Sequence, residues 1–166
     1  FSGFTLSVCQ LRPTSRGVVK LASVNPLDPP LIYANYLSTE RDRRCVTAAM
    51  AFARKLARTE PLKSYIAEEV LPGAQATSDD DLLEFARNHG ATIFHPSGTC
   101  RMGADENAVV DPRLRVKGME ALWVVDCSIM PTLVSGNTNL PAIMIAEKAS
   151  DMILEDAEEQ TKAETG

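Results

Sequence analysis

The stretch His95-Pro96-Ser97-Gly98-Thr99-Cys100-Arg101-Met102-Gly103 constrains the fold more than any other part of the chain. Pro96 has no backbone donor and a fixed φ, and Gly98 and Gly103 punctuate the residues after it, so regular structure stops here. The short apolar run Ala91 to Phe94 directly before it reads as a strand that ends in this loop. His95, one of two histidines in the chain, therefore stands at a strand end with its position fixed by a proline. An imidazole held there suits proton transfer near neutral pH. A second punctuated stretch, Ser135-Gly136-Asn137-Thr138-Asn139-Leu140-Pro141, lies further on and makes the first one specific.

The segments around these loops alternate between short strands and helices. Phe4 to Val8 alternates apolar and polar residues, Arg12 to Gly17 reads as a turn, and Val18 to Ala22 returns as the second strand of a hairpin. The prolines of Asn25 to Pro30 exclude regular structure. Ser38 or Thr39 caps a helix from about Glu40 to Arg58, with Cys45, Ala49, Phe52 and Leu56 at helical spacing. A helical turn is expected around Pro61 to Ile66. Ser78 before Asp79-Asp80-Asp81 is a strong helix start, because carboxylates suit the positive end of the helix dipole, and Gly90 ends that helix.

Val109-Val110 and Leu114 to Val116 read as short strands. Leu122-Trp123-Val124-Val125 is apolar without interruption, as in a strand covered on both faces. Asn139 caps a last helix whose buried stripe is Ala142, Ile145, Ala149 and Met152 or Ile153. Residues 155–166 are acidic and polar and are expected to be disordered. The fold class is α+β, a mainly antiparallel sheet with covering helices, followed by a strand and helix that belong to something larger.

Composition narrows the function. A net charge of -5 and no Lys/Arg cluster argue against a nucleic-acid partner. No apolar run approaches a transmembrane segment. Cys9, Cys45, Cys100 and Cys127 fit neither a zinc site nor a disulfide framework, which points to reduced thiols and a cytoplasmic location. The Asp79 to Asp81 run is a helix start rather than a metal site. The chain opens at Phe1 and runs straight into a strand-like segment, so it is expected to be a piece of a longer polypeptide.

Three ordered motifs, His95 to Gly103, Leu122 to Pro131 and Gly136 to Asn139, resemble the C-terminal part of the glucose–methanol–choline (GMC) oxidoreductases. Arg12-Pro13-Thr14-Ser15-Arg16-Gly17 is similar to the opening of that family's substrate domain, and bacterial choline-dehydrogenase-like members are the most similar. The resemblance implies an FAD-dependent alcohol oxidoreductase acting on CH–OH donors. In such enzymes a base removes the hydroxyl proton while hydride passes to flavin N5. It implies His95 as that base and Asn137 as the second catalytic residue, its amide serving the developing alkoxide. It also implies that Phe94, Asp126, Cys127, Thr138 and Asn139 lie against the cofactor.

The same resemblance divides the chain into a substrate-binding domain over residues 1–120, a strand, loop and helix completing the FAD-binding domain over 121–154, and a tail over 155–166. The partners it implies are a small alcohol and the N-terminal FAD-binding part of the same protein. No Gly-x-Gly occurs in the chain, so the pyrophosphate grip is missing and the isolated chain is expected neither to retain FAD nor to turn over. Without sheet neighbours, Leu122 to Val125 is left to pair elsewhere, expose an apolar edge or self-associate. Two other functions stay open at this point: a flavin-containing hydroxynitrile lyase of the same family, and a non-catalytic interaction module.

Overall fold

The computed structural model describes residues 2–165. The chain divides into two compact units, Phe1–Thr92 and Ile93–Gly166. Among the described residues the elements are three α-helices, two short 3₁₀ helices (Leu62–Tyr65, the helical turn expected there, and Cys127–Ile129) and one two-stranded antiparallel sheet, in keeping with the α+β class.

The first unit is organised around a buried carboxylate. Helix α1, Glu40–Ala57, begins at its N-cap Thr39, whose side chain accepts from the backbone N–H of Asp42. Asp42 is 2% exposed and accepts from the N–H of Thr14 at 2.9 Å, the hydroxyl of Thr14 at 3.0 Å and the N–H of Ser15 at 2.7 Å. Burial alone would raise its pKa, but these donors outweigh that effect and hold the carboxyl far below the usual range. Ser15 returns the link by accepting from the N–H of Ser38 at 3.0 Å. The turn read at residues 12–17 is thus fastened to the start of α1.

Strand β1, Val18–Lys20, pairs with β2, Leu31–Tyr33, in the register Val18 with Tyr33 and Lys20 with Leu31. Its partner follows the proline-rich loop, whereas the alternating segment Phe4 to Val8 is not in a strand. Alternation marks a chain able to pair without naming its partner. The pairing is set by close approach at Gly17, where a Cβ would run into the carbonyl oxygens of Tyr33 and Ala34. Helix α2, Asp79–His89, has the expected capping box between Ser78 and Asp81 and its C-cap at Gly90. It packs against α1. Phe52 and Leu56 of α1 are nevertheless exposed, 65% and 45%, so that stripe is not the buried face of the helix. His89 stacks on Phe85, ring centroids 4.4 Å apart.

The second unit packs against helix α3, Asn139–Thr165. Ile145, Ala149 and Met152 form its buried stripe, in one cluster with Val110, Leu114, Ile129 and Met130. The expected strands at 109–110, 114–116 and 122–125 occur only as isolated bridges, Met102 with Val110, Val110 with Val116, and Arg115 with Trp123. Trp123, Val124 and Val125 lie partly buried against that cluster. Leu122, at the start of the run, is 43% exposed. Of the acidic residues 155–166, expected to be disordered, 155–165 continue the helix, and 166 lies outside the described residues. Arg113 holds them with ion pairs to Asp156 at 2.7 Å and Glu155 at 3.2 Å. No helix among the described residues is long and apolar enough to cross a membrane.

Candidate active site

The loop after His95 is laid against the turn at Cys127–Ile129 by three backbone hydrogen bonds. Gly98 donates to the carbonyl of Cys127 at 3.4 Å, Cys100 to Ser128 at 3.0 Å and Met102 to Ile129 at 2.8 Å. Donors at alternate positions meet three successive carbonyls, with the chain turning at Thr99 and Cys100 between them. Gly98 stands at φ +82°, and a Cβ there would lie 3.2 Å from the carbonyl oxygen of Met130. Arg101 makes two bonds to the carboxylate of Asp105, at 2.7 and 2.8 Å, and so braces its own loop.

Phe94 and His95 stand where this loop begins. The run Ala91 to Phe94 forms no strand, because Phe94 has φ +61°, in the left-handed region that sheet geometry excludes. Its side chain is 82% exposed. His95 is half-buried, and its Nδ1 lies 2.6 Å from the Oγ1 of Thr138. The sequence contains no pattern that announces this contact.

Thr138 is the residue from which α3 starts. Its carbonyl accepts the first helical bond, from Ala142 at 2.9 Å, so Thr138 rather than Asn139 takes the N-cap position. Asn139 is the first helical residue and Pro141 the third. The Sγ of Cys127 also approaches the carbonyl of Thr138, at 3.8 Å. Asp126 caps the adjacent turn, accepting from Ser128 at 2.7 Å, and is itself exposed. Asn137 and Asn139 flank the buried Thr138 and are both exposed.

The second unit therefore brings His95, Cys127 and Thr138 into one contacting group, with Asn137 and Asn139 beside it on the chain. Two features give this group a donor-rich character. The N–H groups of Asn139 and Leu140 have no intrahelical acceptor, being in the first turn of α3. The hydroxyl of Ser128, next to Cys127, is buried without a hydrogen-bond partner. Exposed amides and free helix-terminal donors favour an electron-rich oxygen or a ring that becomes anionic. An isoalloxazine ring fits that donor set.

Residues 13–146 match the family model described as GMC oxidoreductase. The chain is 47% identical over 152 residues to an alcohol dehydrogenase [acceptor] of Pseudomonas putida, an alignment covering 92% of this chain and 28% of that protein. It is 46% identical over 151 residues to an oxygen-dependent choline dehydrogenase of Escherichia coli O45:K1 (strain S88 / ExPEC), covering 91% of this chain and 27% of the relative. Among solved structures it is similar to pyridoxine 4-oxidase from Mesorbium loti, with a TM-score of 0.80 and 37% identity over 85% of this chain and 28% of that one. The chain thus spans little more than a quarter of the length of each of these relatives.

Proposed function

Since this chain belongs to the GMC oxidoreductase family, we propose that it supplies the active-site part of an FAD-dependent alcohol oxidoreductase, similar to choline dehydrogenase. The observation that carries the reading is the hydrogen bond that ties the loop of His95 to the start of α3, 2.6 Å from Nδ1 to Oγ1. It joins the two punctuated stretches at one place, with Asn137 and Asn139 on either side of Thr138 in the chain.

In this reading His95 accepts the proton of a substrate hydroxyl. The Asn137 amide donates to the same oxygen as negative charge develops on it, without changing its own protonation. Phe94, Asp126, Cys127, Thr138, Asn139 and the first-turn N–H groups of α3 would lie against the flavin ring. Bound FAD supplies a two-electron acceptor for the carbinol carbon. Residues 1–120 form the substrate-binding part and 121–154 complete the flavin-binding part. The pyrophosphate grip comes from polypeptide outside this chain, and the chain alone retains no FAD and does not turn over. Four free thiols accord with a cytoplasmic location.

The test is anaerobic flavin reduction by a panel of alcohols, in the flavin-loaded enzyme that carries this chain. His95→Ala is expected to slow reduction by about 10²- to 10⁴-fold. Retention of most of the rate overturns the base assignment. A flavin that stays oxidised while a cyanohydrin is cleaved would favour a lyase instead.

A further inference from the structure

We propose that Thr138 is a positioning residue for His95, its hydroxyl accepting the Nδ1 proton of the imidazole and leaving the Nε2 lone pair for the substrate. The inference rests on the assignment of His95 as proton acceptor and adds what prepares it for that role.

The first observation is the contact itself, 2.6 Å between Nδ1 and Oγ1, with Thr138 only 8% exposed. Little water reaches this hydroxyl to compete for the bond. The second is the way α3 begins. An N-cap hydroxyl ordinarily turns back to accept from the N–H of the second or third helical residue. Here the third residue is Pro141, which has no N–H. The hydroxyl has one partner fewer in its own helix and is directed outward to the ring.

The third observation is that both ends of the contact are anchored. The carbonyl of Thr138 is held by Ala142 at 2.9 Å, and a β-branched side chain has few χ1 choices. On the other side, the loop following His95 is fixed by the bonds of Gly98, Cys100 and Met102 to residues 127–129. A neutral imidazole carries one proton, and the partner of one nitrogen decides the state of the other. With the proton on Nδ1, Nε2 holds the free electron pair. When the substrate O–H bond breaks and an Nε2–H bond forms, the electron pair stays on the substrate oxygen. The Nδ1–H keeps donating to Thr138 throughout. The opposite polarity would present an Nε2–H, which cannot accept a proton.

The experiment uses the flavin-loaded enzyme with Thr138→Val, which keeps the shape and removes the hydroxyl, and Thr138→Ser, which keeps the hydroxyl. Thr138→Val is expected to lower kcat by about 10- to 100-fold with KM within about 3-fold, and Thr138→Ser to stay within about 3-fold of the parent. Ring-nitrogen NMR of ¹⁵N-histidine-labelled enzyme, with His95→Ala identifying the signal, should find the proton on Nδ1 in the parent and a tautomer mixture in Thr138→Val. In a His95→Ala background the valine substitution should cost nothing more. An inactive His95→Ala enzyme together with an unimpaired Thr138→Val enzyme overturns the positioning role alone. An active His95→Ala enzyme overturns the underlying reading. Should Thr138→Val not fold, the parent spectrum decides, and a proton on Nε2 refutes the inference.

Discussion

The Nδ1 of His95 lies 2.6 Å from the Oγ1 of Thr138, 43 residues further along the chain. The two residues reach each other because their neighbours are fixed first. Three backbone bonds hold the loop after His95 against residues 127–129, and the bond from Ala142 fixes Thr138 at the head of α3. The buried stripe of α3, Ile145, Ala149 and Met152, seats that helix in the core of its unit. The contact therefore inherits its geometry from the packing below it.

Asn137 is exposed and precedes Thr138 in the chain, and the proposed function gives its amide to the substrate oxygen. Asn137→Ala should lower the rate of flavin reduction by about 10²-fold, the usual effect of removing a donor to a developing oxyanion. Stability should change by less than about 0.5 kcal/mol, as for most surface substitutions. Rapid-reaction kinetics and denaturant unfolding measure the two effects separately, and an unchanged reduction rate removes Asn137 from the chemistry.

Gly98 carries the turn that aligns the histidine loop. At φ +82°, with the Met130 carbonyl oxygen 3.2 Å from where a Cβ would stand, Gly98→Ala has to strain the turn or displace its neighbour. The expected cost is about 1–2 kcal/mol. Gly118, also at positive φ (+76°) but with nothing within 4 Å of where a Cβ would stand, is the control for conformational strain alone. Unfolding midpoints should fall further for Gly98→Ala than for Gly118→Ala.

Asp42 makes the first unit sensitive to acid. Its folded pKa is lowered, so its contribution is fully present above the unfolded carboxylate value, about 3.9, and is lost as pH falls through the lower folded value. Unfolding free energy should drop below about pH 4 in the parent. Asp42→Asn should be less stable at neutral pH by about 3 kcal/mol, since an amide cannot accept all the bonds from Thr14 and Ser15. Its remaining pH dependence should be shallower. Equilibrium unfolding between acid and neutral pH is the measurement, and a parallel pair of curves contradicts the assignment.

Much of the local structure was legible without coordinates. Ser78 and the aspartates after it start α2 and Gly90 ends it, because capping is settled within one turn of chain. The apolar spacing of α3 placed Ile145, Ala149 and Met152 together, because a helix fixes which positions share a face. The two punctuated loops were legible as a pair only through their likeness to a known family. The pairing of β1 with β2 was not legible, nor was the helical state of residues 155–165. Neither was the fate of Leu122 to Val125. Each of those depends on a partner distant in sequence: the carbonyls facing Gly17, the ion pairs of Arg113 and the cover of the apolar cluster.

By itself, then, the sequence determined both ends of α2, the start of α1 at Thr39 and the buried stripe of α3. The tertiary structure alone decided that the hydroxyl of Thr138 meets the ring of His95. Local signals act over three or four residues, through steric limits and hydrogen bonds that any chain of that composition would feel. A contact across 43 residues is selected only when the whole unit packs, because packing is what makes one distant neighbour available and excludes the rest.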